Sequence, residues 1–207
     1  MNSLNFDEAI IYDKRTYSLY YISLLKIKHI FFFSFFQNGD YNAKIIKMDL
    51  FFVSFVIYYS VNAIFFDDNT MHEIYKSKGS FNLEYQLPKI IYSSFISTVL
   101  NILFKKLALS NYAIINLKRN INIKLIFYFI LSFFCILFFW YYIAMFGAIY
   151  RNTQLHLLKD TLISFSISLI SPFFIYLLPG FFRIPALANK NKKRICLYNF
   201  SKILQIV

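Results

Sequence analysis

The sequence predicts an all-α polytopic membrane protein, with four transmembrane helices and an amphipathic helix at either end. Three observations predict it. The chain of 207 residues is 58% hydrophobic and 15% charged, with a mean hydropathy of +0.52. A soluble domain carries roughly a quarter charged residues. Four stretches have the roughly 20 mostly apolar residues that a spanning helix needs. The basic residues fall in bands between those stretches.

Residues 1–47 read as a cytoplasmic segment. Residues 1–16 hold Asp7, Glu8 and Asp13 and no cleavable apolar run, so no signal peptide is read there. Residues 19–36, LYYISLLKIKHIFFFSFF, have spanning length but carry Lys26, Lys28 and His29 at their middle. Each central lysine costs roughly 2.5–3.5 kcal/mol on insertion. That offsets most of what the surrounding Leu, Ile and Phe contribute. The stretch reads as an interfacial amphipathic helix, half-inserted at its Phe-rich end.

Residues 48–184 read as the four-span domain. The first span, residues 48–66, is interrupted by Ser54, Ser60 and Asn62, and stops at Asp67-Asp68. The second, residues 88–109, opens at Pro88, which suits a helix start, and needs Lys105 and Lys106 to snorkel. The third, residues 125–150, LIFYFILSFFCILFFWYYIAMFGAIY, has no charge at all. The fourth, residues 161–182, is uncharged and holds Pro172 and Pro179-Gly180, where a kink or a helix end at Pro179 is expected. Residues 185–207 read as a basic cytoplasmic tail. Its Cys196, Phe200, Ile203, Leu204 and Val207 form one apolar helical face, set on the inner leaflet or under the bundle.

Lys and Arg in short loops set orientation. Alternate segments carry 17 basic residues on one side, Arg183 counted with the tail, and 5 on the other. Both termini are therefore expected in the cytoplasm, and residues 67–89 and 151–160 outside or in a lumen. Trp140, Tyr141, Tyr142 and Tyr150 then fall in the outer half of the third span, as interfacial anchors. The membrane is not identified. An AT-rich coding sequence would explain the 27 Phe and 17 Tyr, and a mitochondrial inner membrane is the alternative location.

The banding argues against nucleic acid, which calls for one basic soluble face. Cys135 and Cys196 form no disulfide framework or metal cluster. The stretch DDNTMHE, residues 67–73, lacks the glycine and spacing of an EF-hand. It also lacks a second histidine four residues after His72, as a zincin helix requires. It reads as the solvated end of a span. In NTQLHLLKD, residues 152–160, His156 and Asp160 share a helix face but no nucleophile is placed beside them. Asp160 reads as an outer cap favoured by the dipole of the fourth span. No catalytic, cofactor-binding or metal-binding set is expected. Nor is an acidic or basic residue expected deep in any span, where pumps and coupled transporters keep one.

Two features remain as candidate sites. Ser94, Ser97, Thr98 and Asn101 recur at helical spacing in the second span, and Ser164, Ser168 and Ser171 repeat the pattern in the fourth. Such stripes let helices approach and hydrogen-bond in lipid; the functional alternative is a polar pathway. Lys190, Lys192, Lys193 and Arg194 follow the last span and suit anionic lipid head groups, at about 1 kcal/mol per basic residue. Cys196 beside them is an S-palmitoylation candidate, with a plain thiol the simpler reading. The sequon at Asn199 lies on the cytoplasmic side and is expected to stay unmodified.

Several stretches, EAIIYDKRTYSLYYISLLKIKH, DYNAKIIK, VNAIFFDDNTMHEIY, RNTQLHLLKDTLISF and LLPGFFRIPAL, are spread along nearly the whole chain. Together they resemble a multi-pass module at the carboxyl ends of long proteins of single-celled eukaryotes, ciliates especially. The resemblance implies membrane residence and an anchoring role, and no assigned activity or site residues. The chain begins almost at the module itself, as a short member or a truncated gene would. The expected function is a non-catalytic anchoring or scaffolding module, with a membrane-protein partner or a second copy as its companion. The alternative is a channel or transporter subunit that uses the two polar stripes.

Overall fold

The computed structural model describes residues 4–36, 42–109, 118–188 and 194–205. Their regular structure is entirely helical: α1 (Phe6–Tyr12), α2 (Tyr17–Lys28), α3 (Ile30–Phe35), α4 (Lys44–Ile64), α5 (Asp68–Lys76), α6 (Leu83–Ala108), α7 (Lys118–Ala148), α8 (Gln154–Ile175), α9 (Leu177–Ala188) and α10 (Ile195–Leu204). Four elements are long and apolar enough to cross a membrane: Lys44–Ile64, Leu83–Ala108, Ile123–Ala148 and Gln154–Ala188. The chain is an all-α multi-pass membrane protein. Its contacts divide it into two compact units, Gly39–Ser168 and Met1–Asn38 with Leu169–Val207. The two terminal segments thus fall in one unit.

In the unit Gly39–Ser168, α4 and α7 run one way and α6 and α8 the other. Tyr128 meets Asp49 near the start of both α4 and α7, and Phe66 meets Phe146 at their far ends. Asn62 meets Ser93 and Tyr58 meets Thr98, so α4 and α6 are antiparallel. The most apolar stretch of α4 is 44% buried and that of α7 only 11%, so α4 is the central helix and α7 faces lipid on most sides. Leu50, Val53, Ile57 and Val61 of α4 pack with Phe104 and Ala108 of α6 and Tyr128 of α7.

Helix limits departed from the hydropathy runs at three places. The α6 helix starts at Leu83, not at Pro88, because the Asn82 side chain accepts from the Tyr85 N–H and caps it. Pro88 then sits inside the helix, at the cost of a backbone hydrogen bond. The α8 helix starts at Gln154, two turns before the expected Thr161, because fully buried Leu157 anchors the extra turns. The break in the last span falls at Tyr176, whose N–H still bonds to the Pro172 carbonyl. Pro179 lies in the first turn of α9, where a missing N–H costs little, so it opens a helix and does not end one.

Between α5 and α6 the backbone closes a Schellman turn. The Gly79 N–H bonds to the Ile74 carbonyl at 2.9 Å and the Lys78 N–H to Tyr75 at 3.1 Å. Lys78 and Gly79 both have positive φ, 52° and 80°. Asp67 caps α5 by accepting from the Thr70 N–H at 3.0 Å.

In the other unit, α2 lies antiparallel to the last span and hydrogen-bonds along it. The Tyr17 hydroxyl donates to the Leu177 carbonyl, the Tyr21 hydroxyl to Phe173, and the His29 ring bonds to Leu169. The acceptors are four residues apart and line one face. The Phe173 carbonyl is one of the orphan acceptors at the end of α8. The chain breaks at His29, between α2 and α3, and neither piece has spanning length.

Gly180 is required by this contact. A Cβ there would lie 2.6 Å from Tyr17 Cε2 and 3.0 Å from Cδ2. Gly180→Ala is expected to lower the stability of this unit by about 1 kcal/mol, the low end of overpacking because a ring gives way and not backbone. Denaturation in detergent checks it: Tyr17→Leu should remove the penalty of the second change.

Arg183 corrects a further expectation. It is not part of a free basic tail; it lies on α9 at 0% exposure. Its Nε and Nη2 donate to Asp13 Oδ2 at 3.0 and 2.8 Å, and Arg15 holds the same carboxylate at 2.6 and 2.7 Å. The Arg183 guanidinium is flanked by the rings of Tyr20 and Tyr198 at 5.4 and 4.8 Å. The Gln205 side chain donates to the Tyr20 hydroxyl at 2.6 Å. Burial pushes the Asp13 carboxyl up, but hydrogen bonds from Arg15 and then Arg183 outweigh it and hold the group at about 2. The α10 helix reaches this core through Tyr198, Ser201 and Gln205. Of the expected apolar face, Cys196 and Ile203 are exposed, while Phe200 packs edge-on against Phe182 of α9 at 5.0 Å.

Candidate functional site

The polar side chains of the unit Gly39–Ser168 gather along the seam between α6 and α8, with Asn62 and Tyr58 of α4 against it. Ser94 and Ser164 hydroxyls meet at 2.7 Å, and Ser93 and Ser164 at 3.3 Å. Ser93 also donates to Asn62 Oδ1 at 2.8 Å, while the Asn62 amide donates to the Tyr58 carbonyl. The Tyr58 hydroxyl meets Thr98 Oγ1 at 3.1 Å. Three helices are thus tied by one set of hydroxyl and amide groups.

The two predicted stripes meet in part. Ser94, Thr98 and Ser164 make interhelical or stripe-building bonds. Ser97 is fully buried, and its hydroxyl has no hydrogen-bond partner among the described residues. Ser168 bonds back to the Phe165 carbonyl of its own helix, and Asn101 is half-buried. Ser171 belongs to the other compact unit. Of the basic cluster, Lys190, Lys192 and Lys193 lie outside the described residues, as does Val207. Arg194 donates from Nη1 to the Pro185 carbonyl at 3.0 Å.

Toward the start of both helices the seam becomes ionic. Lys89 Nζ donates to Asp67 Oδ1 at 2.9 Å and also to the Thr70 hydroxyl. The Thr70 and Lys89 hydrogen bonds hold the Asp67 carboxyl well below the usual carboxylate range. On α8, Asp160 is 2% exposed and His156 3%. The His156 ring bonds to the Gly79 backbone and stacks on Phe81 at 5.9 Å. Asp160 Oδ1, His156 Nδ1 and Gln86 Oε1 are buried without hydrogen-bond partners among the described residues.

Asp160 is therefore not an exposed cap at a helix end. It lies inside α8 and is buried. Asp49, inside α4, was passed over by the sequence reading; it accepts a hydrogen bond from the Tyr128 hydroxyl. Gln86, Lys89 and Ser93 were likewise missed. They extend the Ser97 stripe upstream at three- and four-residue spacing, and the assumed start at Pro88 cut that pattern short.

Among the described residues no group of three or more His, Cys, Asp or Glu side chains is placed to hold a metal ion. A cavity of about 30 Å³ is lined by Glu73, Ile74, Ser77, Asn82, Tyr85 and Gln86 among others. It is the size of one or two water molecules, not of an organic substrate. Comparison with protein-family models, curated proteins and solved structures finds no significant match.

Proposed function

We propose that the chain is a non-catalytic membrane module that anchors or scaffolds, with its polar interior serving as interhelical glue. One observation carries this reading: polar side chains of three helices are spent on one another, through Ser94–Ser164, Ser93–Asn62 and Tyr58–Thr98. Small hydroxylated residues bring transmembrane helices close and hold them. The Lys/Arg banding supports both termini in the cytoplasm, with anionic head groups taken by Lys190, Lys192, Lys193 and Arg194. A membrane-protein companion or second copy would lie against the exposed faces of α7.

Cysteine labelling tests this orientation. With Cys135 and Cys196 replaced by Ser, a cysteine at His72 or Leu155 should react with an impermeant reagent from outside. A cysteine at Tyr112 or Lys192 should react only after permeabilisation. Labelling of position 112 from outside overturns the orientation.

A second reading, a channel or transporter subunit, is favoured by the buried, unpartnered hydroxyl of Ser97. Purified protein in liposomes separates the two. A scaffold leaves ion flux at the level of empty vesicles. Flux that is abolished by Asn101→Leu establishes the pathway instead.

A further inference from the structure

Between the end of α5 and the start of α6 lies the cavity of about 30 Å³, lined by Glu73, Ser77, Ser80, Asn82 and Gln86 among others. Gln86 is 2% exposed, and its Oε1 has no hydrogen-bond partner among the described residues. Burying an amide oxygen with neither a donor nor a cation against it is costly. A group from outside the chain would remove that cost.

The other side-chain oxygens around the cavity have no proton to give. The Ser77 hydroxyl commits its proton to the Ile74 carbonyl at 3.1 Å and the Ser80 carbonyl at 3.2 Å. Asn82 Oδ1 accepts from the Tyr85 N–H at 3.3 Å and keeps a second lone pair. Glu73 brings a carboxylate, which Lys76 meets at 3.3 Å. A carboxylate, a hydroxyl and two amide oxygens make a hard, oxygen-only donor set.

The local field favours a cation. Glu73, Ile74 and Ser77 belong to the last turn of α5 and its cap, at the negative end of the helix dipole. A carboxylate is disfavoured at that end, and a cation offsets it. The Asn82 side chain and carbonyl take the Tyr85 and Gln86 N–H groups, which blunts the opposing positive end of α6. Residues 67–89 carry four acids against three lysines, in a chain whose net charge is +12. Of those lysines, Lys89 donates to Asp67 and Thr70, and Lys76 shares Glu73. One carboxylate beside a competing ammonium is too little charge for a calcium ion, whose affinity rises with the number of charged ligands.

We infer that this cavity is a binding site for a monovalent metal cation of the sodium kind, with Glu73 and Gln86 as its side-chain ligands and the ion as a clasp between α5 and α6. The assignment stands whether the module anchors or conducts, because no residue of the two serine stripes lines the cavity.

Hydrogen exchange of the lipid-reconstituted full chain tests it, read at the amides of residues 77–86 in sodium chloride and in choline chloride of equal ionic strength. Sodium should slow exchange there severalfold and saturably, and leave residues 125–148 unchanged. Glu73→Gln keeps an oxygen and loses the charge, and should raise the half-saturating sodium concentration about tenfold or more. Gln86→Leu should abolish the effect; should that variant fail to fold, Glu73→Gln and Lys76→Met decide alone. Lys76→Met removes the competing ammonium and should lower the half-saturating concentration, a change that a cavity filled by water would not show. Equal exchange in the two salts overturns the assignment and leaves the cavity to water. So does a sodium effect that Glu73→Gln leaves unchanged. Protection by micromolar calcium in place of sodium overturns it as well, by making the site a divalent one.

Discussion

Asp13→Ala destabilises the unit formed by the two chain ends by about 3–5 kcal/mol, the cost of breaking a buried ion pair from one side. The Arg183 side chain is 0% exposed, and its Nε and Nη2 both bond to Asp13 Oδ2. Removing that carboxylate leaves a buried guanidinium beside a second one, Arg15. The rings of Tyr20 and Tyr198 compensate only in part, at about 2 kcal/mol or less apiece. Denaturant titration in detergent, followed by tryptic release of the first 30 or so residues, reads the loss. Arg183→Met with Arg15→Met and Asp13→Leu should recover most of it, because apolar replacement of a whole buried ionic group is close to neutral. Equal stability of Asp13→Ala and wild type would show that the pair is not formed.

The same carboxylate makes the unit acid-sensitive. The Asp13 carboxyl titrates at about 2 in the fold against an ordinary 3.8. The folded state binds this proton more weakly than the unfolded chain does. The stabilisation, about 2 kcal/mol, is complete above the ordinary value and is lost as pH falls through the folded one. Asp13→Asn should flatten stability across this window.

Tyr128→Phe is the second large effect. Its hydroxyl donates to Asp49 Oδ2, and the ring is fully buried against Phe104 at a centroid distance of 6.1 Å. The substitution keeps the ring and removes the one donor seen on that carboxylate among the described residues. Leaving its partner without that donor costs about 1–3 kcal/mol, and the loss should appear as an equal fall in the stability of the bundle. Asp49→Asn should cost less, since an amide retains an acceptor for the hydroxyl. If Tyr128→Phe and Asp49→Asn are both neutral, α4 and α7 are held by apolar packing alone.

The spans were legible because length and hydropathy are local properties. The uncharged run of residues 125–150 can only be a spanning helix. Arg183 was not legible: a charge after an apolar run looks like a tail, and nothing nearby reveals a partner 170 residues away. Pro88 and Asp160 were misplaced for a related reason. Hydropathy marks where the oily run begins, whereas Asn82 and Leu157 decide where the helix begins. The polar stripes were half legible. Helical spacing put Ser94 and Thr98 on one face, but only the packed register shows that Ser164 meets Ser94. The apolar face of α10 was left open between the inner leaflet and the bundle, because helical spacing alone does not say which face packs. Tyr198, Ser201 and Gln205 are the residues that pack into the unit, each with a hydrogen-bond partner.

The Asp13–Arg183 clamp also sets an order of events during synthesis. Its halves leave the ribosome 170 residues apart, a wait on the order of 10–30 s at ordinary translation rates. Through that interval α1 and α2 have no stable resting place. A nascent chain stalled before α9 would carry an unclamped front end for proteases to find, so that completion of the last span becomes the signal that spares the first.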